Sequence, residues 1–164
     1  MAAIKADKKL RAPLLDRLFD DNPGVSREAD NNQHQVLRQL RESVRRDLER
    51  LFNTRARCLS TPDDMPELRT SLLNYGLPDL ANYNLLASES RKAFCRDVER
   101  IILQYEPRIH RARVIAETSP DSDDHAFSFR VEAVLRATPS PEMVVFDSVL
   151  NPINQTVDVT ETHQ

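Results

Sequence analysis

Phe127-Ser128-Phe129-Arg130-Val131-Glu132-Ala133-Val134-Leu135 alternates without a break: Phe127, Phe129, Val131, Ala133 and Leu135 take one face, and Ser128, Arg130, Glu132, Val134 and then Arg136 take the other. A period of two puts successive side chains on opposite sides of an extended chain, so this stretch reads as a strand with one buried face. Upstream, Ala112, Val114 and Ala116 alternate with Arg111, Arg113, Ile115 and Glu117 in the same way. Downstream, Thr138-Pro139-Ser140-Pro141 turns the chain into a third strand, Met143–Leu150, and Ile153, Val157 and Val159 mark a weaker fourth. Met143–Leu150 is the last well-marked strand. It is expected at a sheet edge, with main-chain groups open to strand addition around Val144 and Phe146.

Before Pro107 the period is that of a helix. Leu37, Leu40, Val44, Leu48 and Leu51 recur at steps of three and four and predict a helix over 34–52. Phe94, Val98, Ile101, Ile102 and Tyr105 predict a second over 90–105, which Pro107 must end because the residue before a proline is pushed out of helical geometry. Between them, Pro66 at a helix start and Gly76 at a helix stop predict a short helix over 66–75 with Leu68, Leu72 and Leu73 inward. Helices followed by a strand meander make an α+β domain: N-terminal helices packed on a small C-terminal β-sheet. Residues 34–150 carry that domain, residues 1–33 read as an N-terminal arm and linker, and residues 151–164 read as a C-terminal tail. The arm bears one apolar cluster, Pro13-Leu14-Leu15-Asp16-Arg17-Leu18-Phe19, ahead of the breaker Asp20-Asp21-Asn22-Pro23-Gly24. Such a cluster docks on a neighbour or folds back on its own core.

The chain has 164 residues, enough for one domain with a real core. No apolar run approaches the roughly 18 residues that cross a bilayer, and Met1–Leu10 lacks the apolar stretch of a secretory signal. Direct membrane insertion is not expected, and the two isolated cysteines, Cys58 and Cys95, fit free thiols of a reducing cytosol. Net charge is −3 but unevenly spread: zero over residues 1–33, +4 over 34–113 and −7 over 114–164. That asymmetry suits a protein presenting different faces to different partners. Arg38, Arg41, Arg45, Arg46, Arg50, Arg55 and Arg57 cluster, but Glu42, Asp47 and Glu49 interrupt them and no aromatic platform accompanies them, so a nucleic-acid partner is not expected.

The search for chemistry returns little. His34, His110, His125 and His163 are scattered without metal-ligand spacing, and two glycines cannot build a glycine-rich phosphate cradle. Asp121-Ser122-Asp123-Asp124 opens like a calcium loop, with Glu132 at the twelfth place, but Ala126 stands where the loop needs glycine. No catalytic residue, cofactor or metal is expected. Glu106-Pro107-Arg108 is the notable local feature. Glu106 faces the negative end of the helix macrodipole, at a cost of roughly 0.3–1 kcal/mol, and Arg108 can offset it. Two readings stay open: a salt bridge that stops a helix, or a rigid docking point for a partner. On the second, Glu106→Ala or Arg108→Ala is expected to abolish docking with little loss of fold.

Several words in order carry a resemblance: Pro13-Leu14-Leu15-Asp16-Arg17-Leu18, Ser43-Val44-Arg45-Arg46-Asp47-Leu48-Glu49, Leu51-Phe52-Asn53-Thr54-Arg55, Leu73-Asn74-Tyr75-Gly76-Leu77-Pro78-Asp79, Glu106-Pro107-Arg108-Ile109 and Phe129-Arg130-Val131-Glu132-Ala133. Over residues 11–150 the chain resembles the phage baseplate wedge proteins historically labelled lysozyme-like, and in particular the TssE subunits of type VI secretion baseplates. The resemblance implies a structural role in the cytoplasm, at a baseplate beneath the inner membrane. It implies as partners the other wedge subunits, the contractile sheath proteins and the tube or spike hub. It also implies that Glu106, Pro107 and Arg108 are the assembly contact. Ile109 departs from the leucine common there. Two alternatives accompany this reading. A peptidoglycan hydrolase needs a second carboxylate across a sugar cleft, and only the polar-loop acids Asp121, Asp123 and Asp124 offer one. A small anti-adaptor regulator shares the same fold family.

Overall fold

The computed structural model describes residues 33–57, 62, 64–79, 83–84, 87–117, 127–137, 140–151, 154 and 156–162. The arm cluster at 13–19, the calcium-like loop at 121–126 and Cys58 lie outside them. Helix α1 is Gln33–Phe52 and helix α2 is Ser88–Tyr105. Strands β1 (Ile109–Glu117), β2 (Phe127–Leu135), β3 (Glu142–Asn151) and β4 (Thr156–Thr162) form one antiparallel sheet in chain order. The α+β expectation and the meander hold. Both helices lie on one face of the sheet, α1 against β4 and α2 against β1.

The alternation that decides the fold is obeyed strictly. Phe127, Phe129, Val131, Ala133 and Leu135 are all buried, and their β3 neighbours Val144, Phe146, Ser148 and Leu150 are buried beside them. Phe94 of α2 meets Phe127 and Phe129 edge-on, and Phe52 of α1 meets Phe129 the same way, at ring separations of 5.5–5.8 Å. The aromatic rings thus join both helices to one strand, and each fully buried side chain of this size contributes about 1.5–3 kcal/mol. In α1 the stripe is headed by buried Val36, with Leu37 half-buried, then runs through Leu40, Val44, Leu48 and Leu51 as expected.

Three expectations are corrected. Residues 66–75 are not an α-helix with Leu72 and Leu73 inward. They form two 3-10 turns, Pro66–Thr70 and Leu72–Asn74, and Leu72 is 82% exposed. Ser71 breaks the run: its hydroxyl donates to the Leu68 carbonyl and accepts from the Leu73 N–H, a local competition typical of serine. Second, β3 is no edge: it pairs with β2 from Glu142 to Leu150 and with β4 from Val145 to Asn151. Third, residues 151–164 are not only a tail: the weaker fourth strand expected there is β4, which buries Val157 and Val159 in the core.

The true edges are β1 and β4, and helix side chains occupy both. Glu99 of α2 accepts the Val114 N–H at 2.8 Å. On the other side Asn53 donates to the Val157 carbonyl at 2.8 Å and accepts the Val157 N–H at 2.9 Å, while Arg45 donates to the Val159 carbonyl at 3.0 Å.

Candidate functional site

Helix α2 ends where its sequence requires. The Glu106 N–H closes the last turn on the Ile102 carbonyl, but Glu106 itself is non-helical, as a pre-proline residue must be. The Ile109 N–H then returns to the Glu106 carbonyl at 3.1 Å, and the chain enters β1. This tight corner sets Glu106 and Arg108 two residues apart on the same side, facing α1.

Glu106 is only 4% exposed. Its carboxylate accepts from Arg108 in a two-pronged fork: Nε to Oε1 at 2.6 Å and Nη2 to Oε2. The Arg108 backbone N–H adds a third bond to Oε1. The guanidinium also reaches across to α1, donating to the Ser43 hydroxyl at 3.0 Å and to Asp47 Oδ2. Burial works against the charge on Arg108, but the Glu106 and Asp47 carboxylates more than offset it, so the side chain is held still more firmly protonated. A helix stop and an interhelical clamp are therefore the same set of atoms, locking the α2–β1 corner to α1.

The clamp faces a hollow of 330 Å³ lined by Asp47, Leu48, Leu51, Tyr75, Tyr105 and the Glu106-Pro107-Arg108 corner. Tyr75 and Tyr105 pack edge-on at 5.2 Å, and the Tyr105 hydroxyl donates to the Ser71 carbonyl. Gly76 holds Tyr75 there: its φ of +114° turns the chain so that Leu77 bridges to the segment after α1 through Leu77 N–H to Thr54 and Ala56 N–H to Leu77.

All three residues singled out by sequence lie at this corner: Glu106 buried, Pro107 exposed and Arg108 between. Sequence reasoning missed Ser43, Asp47, Tyr75 and Tyr105. One signal for the first two was available, since positions four apart share a helix face, and Ser43 and Asp47 flank the apolar stripe. The expectation that alanine at Glu106 or Arg108 spares the fold is revised, because both side chains hold the clamp together. Among the described residues, His34 and His110 are exposed, and no group of three metal-ligating side chains converges. Cys95 is a buried free thiol, pushed up by burial and by Glu99. No helix among the described residues is long and apolar enough to cross a membrane.

A family model described as baseplate wedge protein gp25 matches residues 38–140. This chain belongs to the gp25 baseplate wedge family. The gp25 match runs through α1, α2, β1 and β2, and so takes in Asp47, Tyr75 and the whole Glu106-Pro107-Arg108 corner. Among curated relatives, the chain is 34% identical over 100 residues to the anti-adapter protein IraD of Salmonella arizonae, a span of 61% of this chain and 72% of that protein. The chain is thus similar both to baseplate wedge proteins and to a protein named as an anti-adapter.

Proposed function

We propose that this protein is a structural baseplate subunit of a contractile injection machine of the type VI secretion kind. It binds other wedge subunits through the Glu106-Pro107-Arg108 corner and anchors or initiates the contractile sheath in the cytoplasm. One observation carries the reading: the gp25 family match spans the clamp, and the clamp fixes an exposed proline and a hollow on rigid elements. No catalytic chemistry belongs to it. Glu106 is the acid a hydrolase would use, but both of its carboxylate oxygens are bonded to the Arg108 guanidinium, and glycoside hydrolysis needs two carboxyl groups flanking the sugar bond. Purified protein is expected to release no reducing sugar from peptidoglycan; turnover lost in Glu106→Gln would overturn the structural role.

The deciding experiment is co-purification from cells that express a complete secretion gene cluster. Wedge and sheath subunits are expected with the wild-type chain. The similarity to IraD favours one second reading, an anti-adapter-like regulator, and recovery of a protease adaptor in place of wedge subunits would establish it.

A further inference from the structure

The hollow beside the clamp has a composition that selects its occupant. At 330 Å³ it lies at the lower end of small-molecule sites, about 300–1,000 Å³, and suits one long side chain better than a cofactor. Two carboxylates, Asp47 and Glu106, face it with one guanidinium, Arg108, whose donors are already directed to Glu106, Ser43 and Asp47. What remains is accepting capacity on Asp47. Among the described residues, its Oδ1 meets a 3.3 Å contact from Arg50, a side chain 63% exposed. The field inside has the same sign: the Tyr75 phenol is pushed up by burial and then by the charges of Asp47 and Glu106, each outweighing the opposing Arg50. Tyr75 and Tyr105 add ring faces, which attract cations. Outside, Leu73 is 48% exposed and Leu72 82%, between Ser71, which accepts the Tyr105 hydroxyl, and Tyr75.

We propose that this hollow receives an arginine or lysine side chain of a wedge partner, its stem along Tyr75 and Tyr105, its charged head on Asp47, and its apolar neighbours on Leu72 and Leu73. The inference rests on the docking reading of the corner and names the chemistry of the partner there. Binding displaces Arg50 from Asp47, exchanging one long, solvated contact for a shorter one screened by the tyrosine rings.

The test uses the full chain, isotope-labelled for NMR, and the probe peptide acetyl-Leu-Ala-Arg-Ala-Leu-amide, with citrulline and glutamate counterparts at the central position. The arginine peptide is expected to shift the amides of Asp47, Tyr75 and Tyr105 saturably at millimolar concentration. The citrulline peptide should bind at least about tenfold more weakly, since a charge-assisted bond is roughly twice as strong as a neutral one. Asp47→Asn should weaken the arginine peptide about tenfold while circular dichroism shows the chain still folded, even though the bond to Arg108 is weakened. Equal binding of the citrulline or glutamate peptide, shifts confined to another surface, or none at all overturns the proposal. So does sedimentation showing that a second copy of this chain fills the hollow. Co-purification separates the two readings. If Asp47→Asn with Tyr75→Leu retains wedge partners at the wild-type level, the occupant is wrong and docking stands. If the wild-type chain recovers none, docking fails and the titration still decides the occupant.

Discussion

Glu106 and Arg108 form a pair, but they are not equivalent. Arg108 has three partners, so losing Glu106 leaves it bonded to Ser43 and Asp47. Glu106 has essentially one, so losing Arg108 strands a carboxylate that is 4% exposed. Breaking a buried pair from that side costs about 3–5 kcal/mol. Arg108→Ala is therefore expected to lower the urea midpoint markedly more than Glu106→Ala; equal losses would show that Glu106 is not left stranded. Gly76 is a second residue with a sharp expectation. At φ +114° any L side chain is strained, and a Cβ would meet the Thr54 carbonyl. Gly76→Ala should cost about 3 kcal/mol and loosen Tyr75, readable as a lower melting temperature together with changed tyrosine fluorescence. Half of this site was legible in advance. Glu106 and Arg108 are neighbours in sequence, so proline chemistry alone brings them together. Ser43 and Asp47 lie 65 and 61 positions from Arg108, and only the packing of α1 on the corner supplies that contact.

At the scale of elements, periodicity was a reliable guide where burial is one-sided and an unreliable one where it is not. Strand β2 and both helices have a single apolar face, and they fold as their patterns dictate. Residues 66–75 carry leucines without a partner surface, so the end signals Pro66 and Gly76 suggested a helix and Ser71 decided otherwise. The position of β3 was misread because a strand's rank in the chain says nothing about what pairs beyond it; β4, with two buried valines in seven residues, left a faint signal. In the 83–84 segment the Tyr83 hydroxyl donates to Asp97 Oδ2 of α2 at 2.6 Å, and its ring packs edge-on against Phe94. Burial and then Asp97 push the Tyr83 phenol up to about 12. Burial opposes the Asp97 charge, but Tyr83 and Arg100 prevail and hold its carboxyl below the usual range. The signs follow. A depressed carboxyl contributes stability at neutral pH that is lost as pH falls through its folded value. A raised phenol contributes stability that is complete below its ordinary value near 10 and lost as pH climbs through about 12. Tyr83→Phe should therefore cost about 1 kcal/mol at neutral pH and progressively less toward acid. Urea titrations across pH read this directly, and a difference that stays constant down to strongly acidic pH would refute the bond.

Among the described residues the fold has two layers, with both helices on one face of the sheet. The charge gradient follows the chain through the fold: both helices lie in the net basic stretch, β2, β3 and β4 lie in the acidic one, and β1 spans the boundary. Strand β4 joins the two, since α1 has its own contact with the sheet there and Arg41 of α1 is bonded to Glu142 and Glu161. A chain ending at Asn151 should lose Val157, Val159 and the Asn53 clamp together. It is expected not to fold, whereas a chain ending at Thr162 should melt like the full-length protein. Circular dichroism on the two truncations decides it, and a cooperative melt from the shorter one would show that β4 is dispensable.

The Asn53 clamp also determines how the molecule tolerates its own concentration. An open edge strand is a template, and a subunit stored in bulk before assembly would copy itself along it. At Val157 an arriving strand would gain two main-chain bonds and forfeit the two that Asn53 already makes, an exchange close to neutral. A side-chain amide, unlike a paired strand, swings aside by rotating a single residue. The β4 edge is in this sense latched and not sealed: inert toward identical copies, yet yielding to any competitor that brings further contacts of its own.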